Sequence, residues 1–224
     1  MHSGTYKPPT LTIDGVIFRL NNDQLEVLLI QRTQQPFQGS WALPGGYCAA
    51  GETTEQAMAR IIETKGGVRA GDLGLIEQLY TFDTVANDPR GHAVSVAYMG
   101  LGRDLEPLMD DTQNPRFVPV RGLPDLAYDH RMIVDYAHNR LKAKLTYTNA
   151  IYGLLPTQFT LPRLQAAYEA VLGRALDKRN FRKKFLSLEL IEETDELLKE
   201  GAHRPARLYK FIQPHLQVLT RNFD

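Results

Sequence analysis

The chain has 224 residues, an apolar fraction of 43% and a formal net charge of zero. That length allows one large domain or two small ones, and the absence of any apolar run near ~18 residues excludes a membrane span. The neutral total hides a split: residues 1–140 hold 12 Lys+Arg against 17 Asp+Glu, net −5, while residues 141–224 hold 14 against 9, net +5. A basic second half fits either a nucleic-acid-binding module or ordinary solvated faces.

In chain order, Met1 to Pro9 carries no apolar core of an export signal. Thr10–Leu20 is rich in β-formers, Asn21-Asn22-Asp23 signals a turn, and Leu25–Arg32 returns as a strand, so the pair predicts a hairpin. Thr53 or Thr54 suits the N-cap of a helix that buries Ala57, Ile61 and Ile62. Leu75–Phe82 and His92–Met99 form a second strand pair, Arg116–Val120 is a short strand, and a helix opens at Asp129 or His130 and runs to Lys144. The single Cys48 forms no intrachain disulfide, which fits a reducing cytosol.

The basic half begins after residues 146–159, which read as a linker. Thr160 caps a helix to Leu172, with Pro162 in its first turn and Gly173 at its end. A second helix, Lys178 to Leu188, turns Phe181, Phe185 and Leu188 inward. From 174 to 184 the basic residues are Arg174, Lys178, Arg179, Arg182, Lys183 and Lys184, with Asn180 among them and one acid, Asp177. A strand candidate at Leu190–Thr194, a tip at Gly201–Arg207 and a strand Leu208–Phe211 complete a helix-turn-helix with a wing. Its second helix suits a major groove. The tip residues His203, Arg204 and Arg207 suit DNA backbone or minor groove. Glu192, Glu193, Asp195 and Glu196 must then face away from DNA.

Gly45 to Val68 resembles the Nudix box, G-x5-E-x7-R-E-U-x-E-E-x-G-U, at Gly46, Glu52, Arg60, Ile62, Gly67 and Val68. Ile61, Thr64 and Lys65 stand where that pattern has its metal-binding glutamates. Magnesium requires hard oxygen ligands, and Glu63 is one residue, about 100° of helix, out of register. The resemblance therefore implies a retained scaffold, no metal site and no catalytic residue. Trp41-Ala42-Leu43-Pro44 is similar to the strand that enters the Nudix loop.

Over the whole chain, Leu126–His130, Leu154-Leu155-Pro156, Phe159–Gln165 and Lys178–Lys184 resemble the bacterial Nudix-related transcriptional regulators of the NrtR type. That resemblance implies an α/β fold, a Nudix α/β/α sandwich over residues 1–145, a linker at 146–159, and a winged helix-turn-helix domain over 160–224. It also implies a cytoplasmic homodimer that acts on a palindromic double-stranded operator of NAD-related or sugar genes. Its effector would be ADP-ribose or a related nucleotide, with no required cofactor. Effector-site candidates are Arg32 and Arg90 for phosphates or surface ion pairs, and Trp41, Tyr80 and Phe82 for purine stacking or core packing. Gly45, Gly46, Glu52 and Arg60 are expected as pocket and scaffold, and Asp129 and His130 at a helix start. The rival is an ADP-ribose pyrophosphatase with an atypical metal site built from Asp83, Asp88 or Glu63.

Overall fold

The structure, a computed structural model, describes residues 8–84, 88–108, 113–198 and 205–219. Alternation along β1 (Thr10–Asn21) sets the layering, because successive side chains of a strand face opposite sides. Ile13 and Ile17 pack against Ala57, Met58, Ile61 and Ile62 of α1 (Thr54–Thr64). Val16 and Phe18 pack on the opposite face with Ile133, Val134, Ala137 and Leu141 of α2 (His130–Tyr147). The helix over the first face begins at Thr53, whose side chain accepts from Gln56 N while Gln56 returns a bond to the Thr53 N–H. Gly15 lies where α1 crosses β1: a Cβ there would stand 2.9 Å from Ile62 Cγ2.

The remaining strands of the first half are β2 (Gln24–Gln31), β3 (Trp41–Ala42), β4 (Gly45–Tyr47), β5 (Leu73–Thr84), β6 (Ala93–Gly102) and β7 (Arg116–Pro119). They order as β3-β2-β1-β6-β5, with β4 beside β1 and β7 beside β2. The hairpins β1–β2 and β5–β6 are antiparallel, and β1 runs parallel to β6. A parallel pair needs a long crossover; here the chain from β2 through α1 to β5 supplies it. That pairing sets Thr12 opposite Ser95 and Asp14 opposite Ala97, at the end of the sheet where the site forms.

The basic half contains α3 (Leu161–Leu172), α4 (Lys178–Leu186), β8 (Ile191–Leu198) and β9 (Ala206–Phe211). Thr160 accepts from Arg163 N, and Gly173 ends α3 at φ +76°, the left-handed conformation that suits glycine. Tyr168 holds α3 on α4, with ring centroids 5.3 Å from Phe181 and 5.7 Å from Phe185; such pairs add about 0.5–1.5 kcal/mol beyond area burial. Phe159 exchanges backbone bonds of 2.9 and 2.8 Å with Tyr209, which lays the chain before α3 along the wing sheet.

The residues between α2 and α3 are not an open tether. Ala150–Leu154 forms a buried 3-10 turn, and Tyr152 Oη donates to Gly74 O at 2.7 Å. Asn149, 0% exposed, donates to His215 O at 3.0 Å and accepts from Gln217 N at 2.7 Å. His138 Nε2 donates to Val171 O at 2.8 Å, joining α2 to α3. One apolar cluster therefore runs from β1 and α2 through Ile151 and Leu155 to Tyr168 and Phe211. Among the described residues, no helix is long and apolar enough to cross a membrane.

Candidate functional site

A cavity of about 540 Å³ opens at the sheet end, walled by β1, β4, the loop after β2 and the start of α2. Eight expected residues line it: Arg32, Gly45, Gly46, Arg60, Phe82, Arg90, Asp129 and His130. Three do not. Trp41 turns its ring into the α2-side core, and its carbonyl accepts from Ala127 N at 2.8 Å. Tyr80 is off the cavity wall, in a three-ring cluster edge-on to Phe82 and tilted against Tyr136, with centroids at 5.3 and 5.2 Å. Glu52 lies behind Arg60, which bonds its two carboxylate oxygens at 2.7 and 2.8 Å. Arg60, with help from the Ala49 N–H, holds the Glu52 carboxyl down at about 2. Arg60 also reaches Tyr47 O at 3.0 Å, so this pair clamps the loop that carries β4 into α1.

Tyr128 and Tyr47 complete the cavity, and neither stood among the expected site residues. Arg32 Cζ sits 4.9 Å from the Tyr128 ring centroid; Arg90 Cζ sits 5.9 Å from the same ring and 5.7 Å from Tyr47. These are cation–π distances. Tyr128 adopts φ 55° and packs edge-on against Phe37, itself at φ 62°. Left-handed backbone at a non-glycine costs on the order of 1–3 kcal/mol and gathers at binding sites. Burial pushes the Tyr128 hydroxyl above its usual range, and among the described residues its oxygen has no hydrogen-bond partner. The sequence signal was present, since Tyr128 lies inside the Leu126–His130 segment that carries the family resemblance.

A buried polar set forms the floor. His130 Nδ1 accepts the Leu43 N–H at 2.9 Å, which places the ring proton on Nε2, 3.5 Å from Asp14 Oδ1. Ser95 Oγ donates to Asp14 Oδ2. Burial outweighs the pull of Asp14 and lowers the His130 pKa, so the ring is neutral. Asp129 occupies the N-cap position of α2 without a side-chain cap bond.

The box substitutions are explicit in the geometry. Ile61 is fully buried in the α1-side core, Glu63 and Thr64 are exposed, and Thr64 Oγ1 donates to Arg60 O at 2.7 Å. Lys65 enters the cavity and donates to Gly45 O at 2.6 Å. Burial, and next Arg32, pushes the Lys65 ammonium below its usual range. Gly67 is needed for close approach: at φ +63°, a Cβ there would lie 2.5 Å from Leu108 O. Of the rival's metal ligands, Asp83 pairs with His92 at 2.7 Å and Asp88 with Arg90 at 2.7 Å. Among the described residues no three His, Cys, Asp or Glu side chains gather as a metal site.

On α4, Phe181 and Phe185 are buried, which turns Arg179 and Lys183 outermost, with Lys178, Asn180 and Arg182 also exposed. Arg174 is exposed after α3. Lys184 differs from the expected surface position. It is half-buried and lines the cleft between α2, α3 and α4 with Leu145 and Tyr168, because it flanks the phenylalanine stripe. Glu193 does not face away from the basic surface: Arg207 and Tyr209 bond to it, and Arg182 lies close enough to lower its pKa further. Arg207 is thus exposed but ion-paired, as is Lys210 with Glu192 at 3.0 Å. His203 and Arg204 lie outside the described residues.

Residues 11–136 match the NUDIX domain model, and residues 151–211 match the NrtR DNA-binding winged helix domain model. The ADPR responsive transcriptional repressor NtrR of Acinetobacter baylyi is 35% identical over 97% of this chain and 87% of its own. The chain belongs to the NrtR family. Within it, the crystal structure of Shewanella oneidensis NrtR complexed with a 27mer DNA superimposes with TM-score 0.82 at 32% identity, covering 96% of this chain and 99% of that one. The NUDIX domain of Shewanella oneidensis NrtR complexed with ADP ribose is 33% identical with TM-score 0.53, over 61% of this chain and 90% of that one. The NrtR order of a Nudix α/β half and a winged helix is the order found here.

Proposed function

We propose that this protein is a transcriptional repressor whose DNA affinity is set by ADP-ribose in the Nudix-type cavity, which serves as a receptor without turnover. One observation carries the reading: a cavity walled by arginines and tyrosines shares an unbroken core with a basic winged helix. Its volume, about 540 Å³, lies within the range of small-ligand sites. The Acinetobacter and Shewanella relatives support both ligands. The DNA contacts are assigned to the outer face of α4, from Arg179 and Lys183, with Arg174, Lys178, Asn180 and Arg182 around them. A homodimer sets two such helices in major grooves about one helical turn apart on a palindromic operator. The regulated genes belong to NAD-related or sugar metabolism, and the protein works in the bacterial cytoplasm.

Control is linkage: ADP-ribose favours a domain placement that fits the operator poorly, and operator DNA weakens ADP-ribose by the same factor. Fluorescence anisotropy of labelled operator at fixed salt, titrated with ADP-ribose, tests this. Release of DNA, with no AMP formed when ADP-ribose is incubated with magnesium, is expected. Equal ADP-ribose affinity with and without operator sinks the linkage, and brisk AMP formation makes the protein a pyrophosphatase.

A further inference from the structure

Four cationic side chains face the cavity: Arg32, Arg60, Lys65 and Arg90. Two are matched within the fold, Arg60 by Glu52 and Arg90 by Asp88, each at 2.7 Å. Among the described residues the other two hydrogen-bond to carbonyls and to no carboxylate, with Arg32 also set over the Tyr128 ring. Arg32 Nε donates to Pro36 O at 2.8 Å and Nη2 to Gln34 O at 3.3 Å, while Lys65 Nζ donates to Gly45 O at 2.6 Å. Among the described residues their remaining N–H donors make no hydrogen bond and are left for a ligand.

A divalent cation does not fit beside them. It requires hard oxygen donors. The Gly45 carbonyl already receives the Lys65 ammonium, and the Asp14 carboxylate on the same wall is engaged by Ser95 and His130. Ile61 is apolar and buried, Thr64 turns to the Arg60 carbonyl, and Glu63 is exposed and absent from the cavity wall. The cations also repel one another: Arg32, Arg60 and Arg90 all disfavour the charged form of Lys65, opposed by Asp14. An arriving anion with two charges relieves that repulsion and meets two unmatched cations.

We infer that Lys65, with Arg32, forms a metal-free diphosphate subsite in which the lysine ammonium does the work of the divalent ion. As applied to ADP-ribose, this rests on the effector reading above; the subsite itself does not. Charge-assisted N–H bonds to phosphate oxygens, made in a partly desolvated wall, fix the diphosphate against β4. Neither side chain supplies an activated water, so occupancy leaves the diphosphate intact.

Calorimetric titration of the full chain with ADP-ribose and with inorganic pyrophosphate, each in EDTA and in magnesium, tests the inference. Lys65→Met and Lys65→Arg are compared with the parent. The parent binds equally well in both buffers, Lys65→Met loses about tenfold or more for both ligands, and Lys65→Arg stays within a few-fold. Parent binding that strengthens about tenfold in magnesium overturns the inference, a result that needs no variant. So does a folded Lys65→Met that binds pyrophosphate like the parent. If the parent binds pyrophosphate but not ADP-ribose, and Lys65→Met loses pyrophosphate, the effector reading fails while the subsite stands.

Discussion

Asn149→Ala asks whether the chain between the two halves is a rigid coupling. The side chain is fully buried; it donates to His215 O at 3.0 Å and accepts from Gln217 N at 2.7 Å. The groups it serves sit in a segment where His215 is exposed and Gln217 half-buried, so water can reach them after truncation. The loss is therefore the net value of these two hydrogen bonds, about 1 kcal/mol each, with little from the long third bond to Gln217 Oε1 at 3.4 Å, and not the full cost of orphaned buried groups. About 2 kcal/mol in a chain of this size lowers Tm by about 4–8 °C. Circular dichroism melts of parent and variant at one protein concentration read this directly. ADP-ribose affinity should stay at the parent value, because Asn149 is not on the cavity wall. A Tm within about 1 °C of the parent would show that the tail at 215–217 is not docked on the junction, and the packed-junction reading would go with it.

Two further predictions come from the basic helix and the buried histidine. Lys183→Ala removes an exposed charge from the outer face of α4, so the slope of log affinity against log salt for operator DNA falls by about one unit per subunit. Lys184→Ala, in the cleft beside Tyr168, shifts Tm more than that slope; equal salt effects for the two lysines would refute the assigned face. His130 is held below its usual 6.5 by burial, so above pH 6.5 both states leave the ring neutral and its contribution to stability is complete. As pH falls below 6.5 the unfolded chain takes up the proton first, and that contribution is lost as pH falls through the lower folded value. His130→Asn, which keeps an acceptor for the Leu43 N–H, should show a shallower fall in Tm from pH 6.5 downward; an unchanged slope would contradict a neutral buried ring.

Local rules determined most of the elements. The turn at Asn21–Asp23, a cap at Thr53 or Thr54, the Thr160 cap, and Gly173 at the end of α3 all act within a few residues, so they were legible without the fold, which chose Thr53. Replacement of the box glutamates by Ile61, Thr64 and Lys65 was equally plain, because helix register alone fixes which positions face the loop. Tertiary structure decided what met what. Period-two alternation says that Asp14 shares a face with Val16 and Phe18, but only the parallel β1–β6 pairing and the docking of α2 bring Ser95 and His130 to it. Aromatic content could not separate Tyr128, which enters the cavity on a left-handed backbone, from Trp41 and Tyr80, which pack outside it. The polar run Tyr147-Thr148-Asn149 interrupts the apolar pattern, yet Thr148 and Asn149 are buried because partners at 144 and 215–217 satisfy them. Composition records the polarity of a side chain. For Thr148 the partner is one helical turn away, but whether Asn149 is buried depends on hydrogen-bond partners that lie far along the chain and arrive only when the fold has packed.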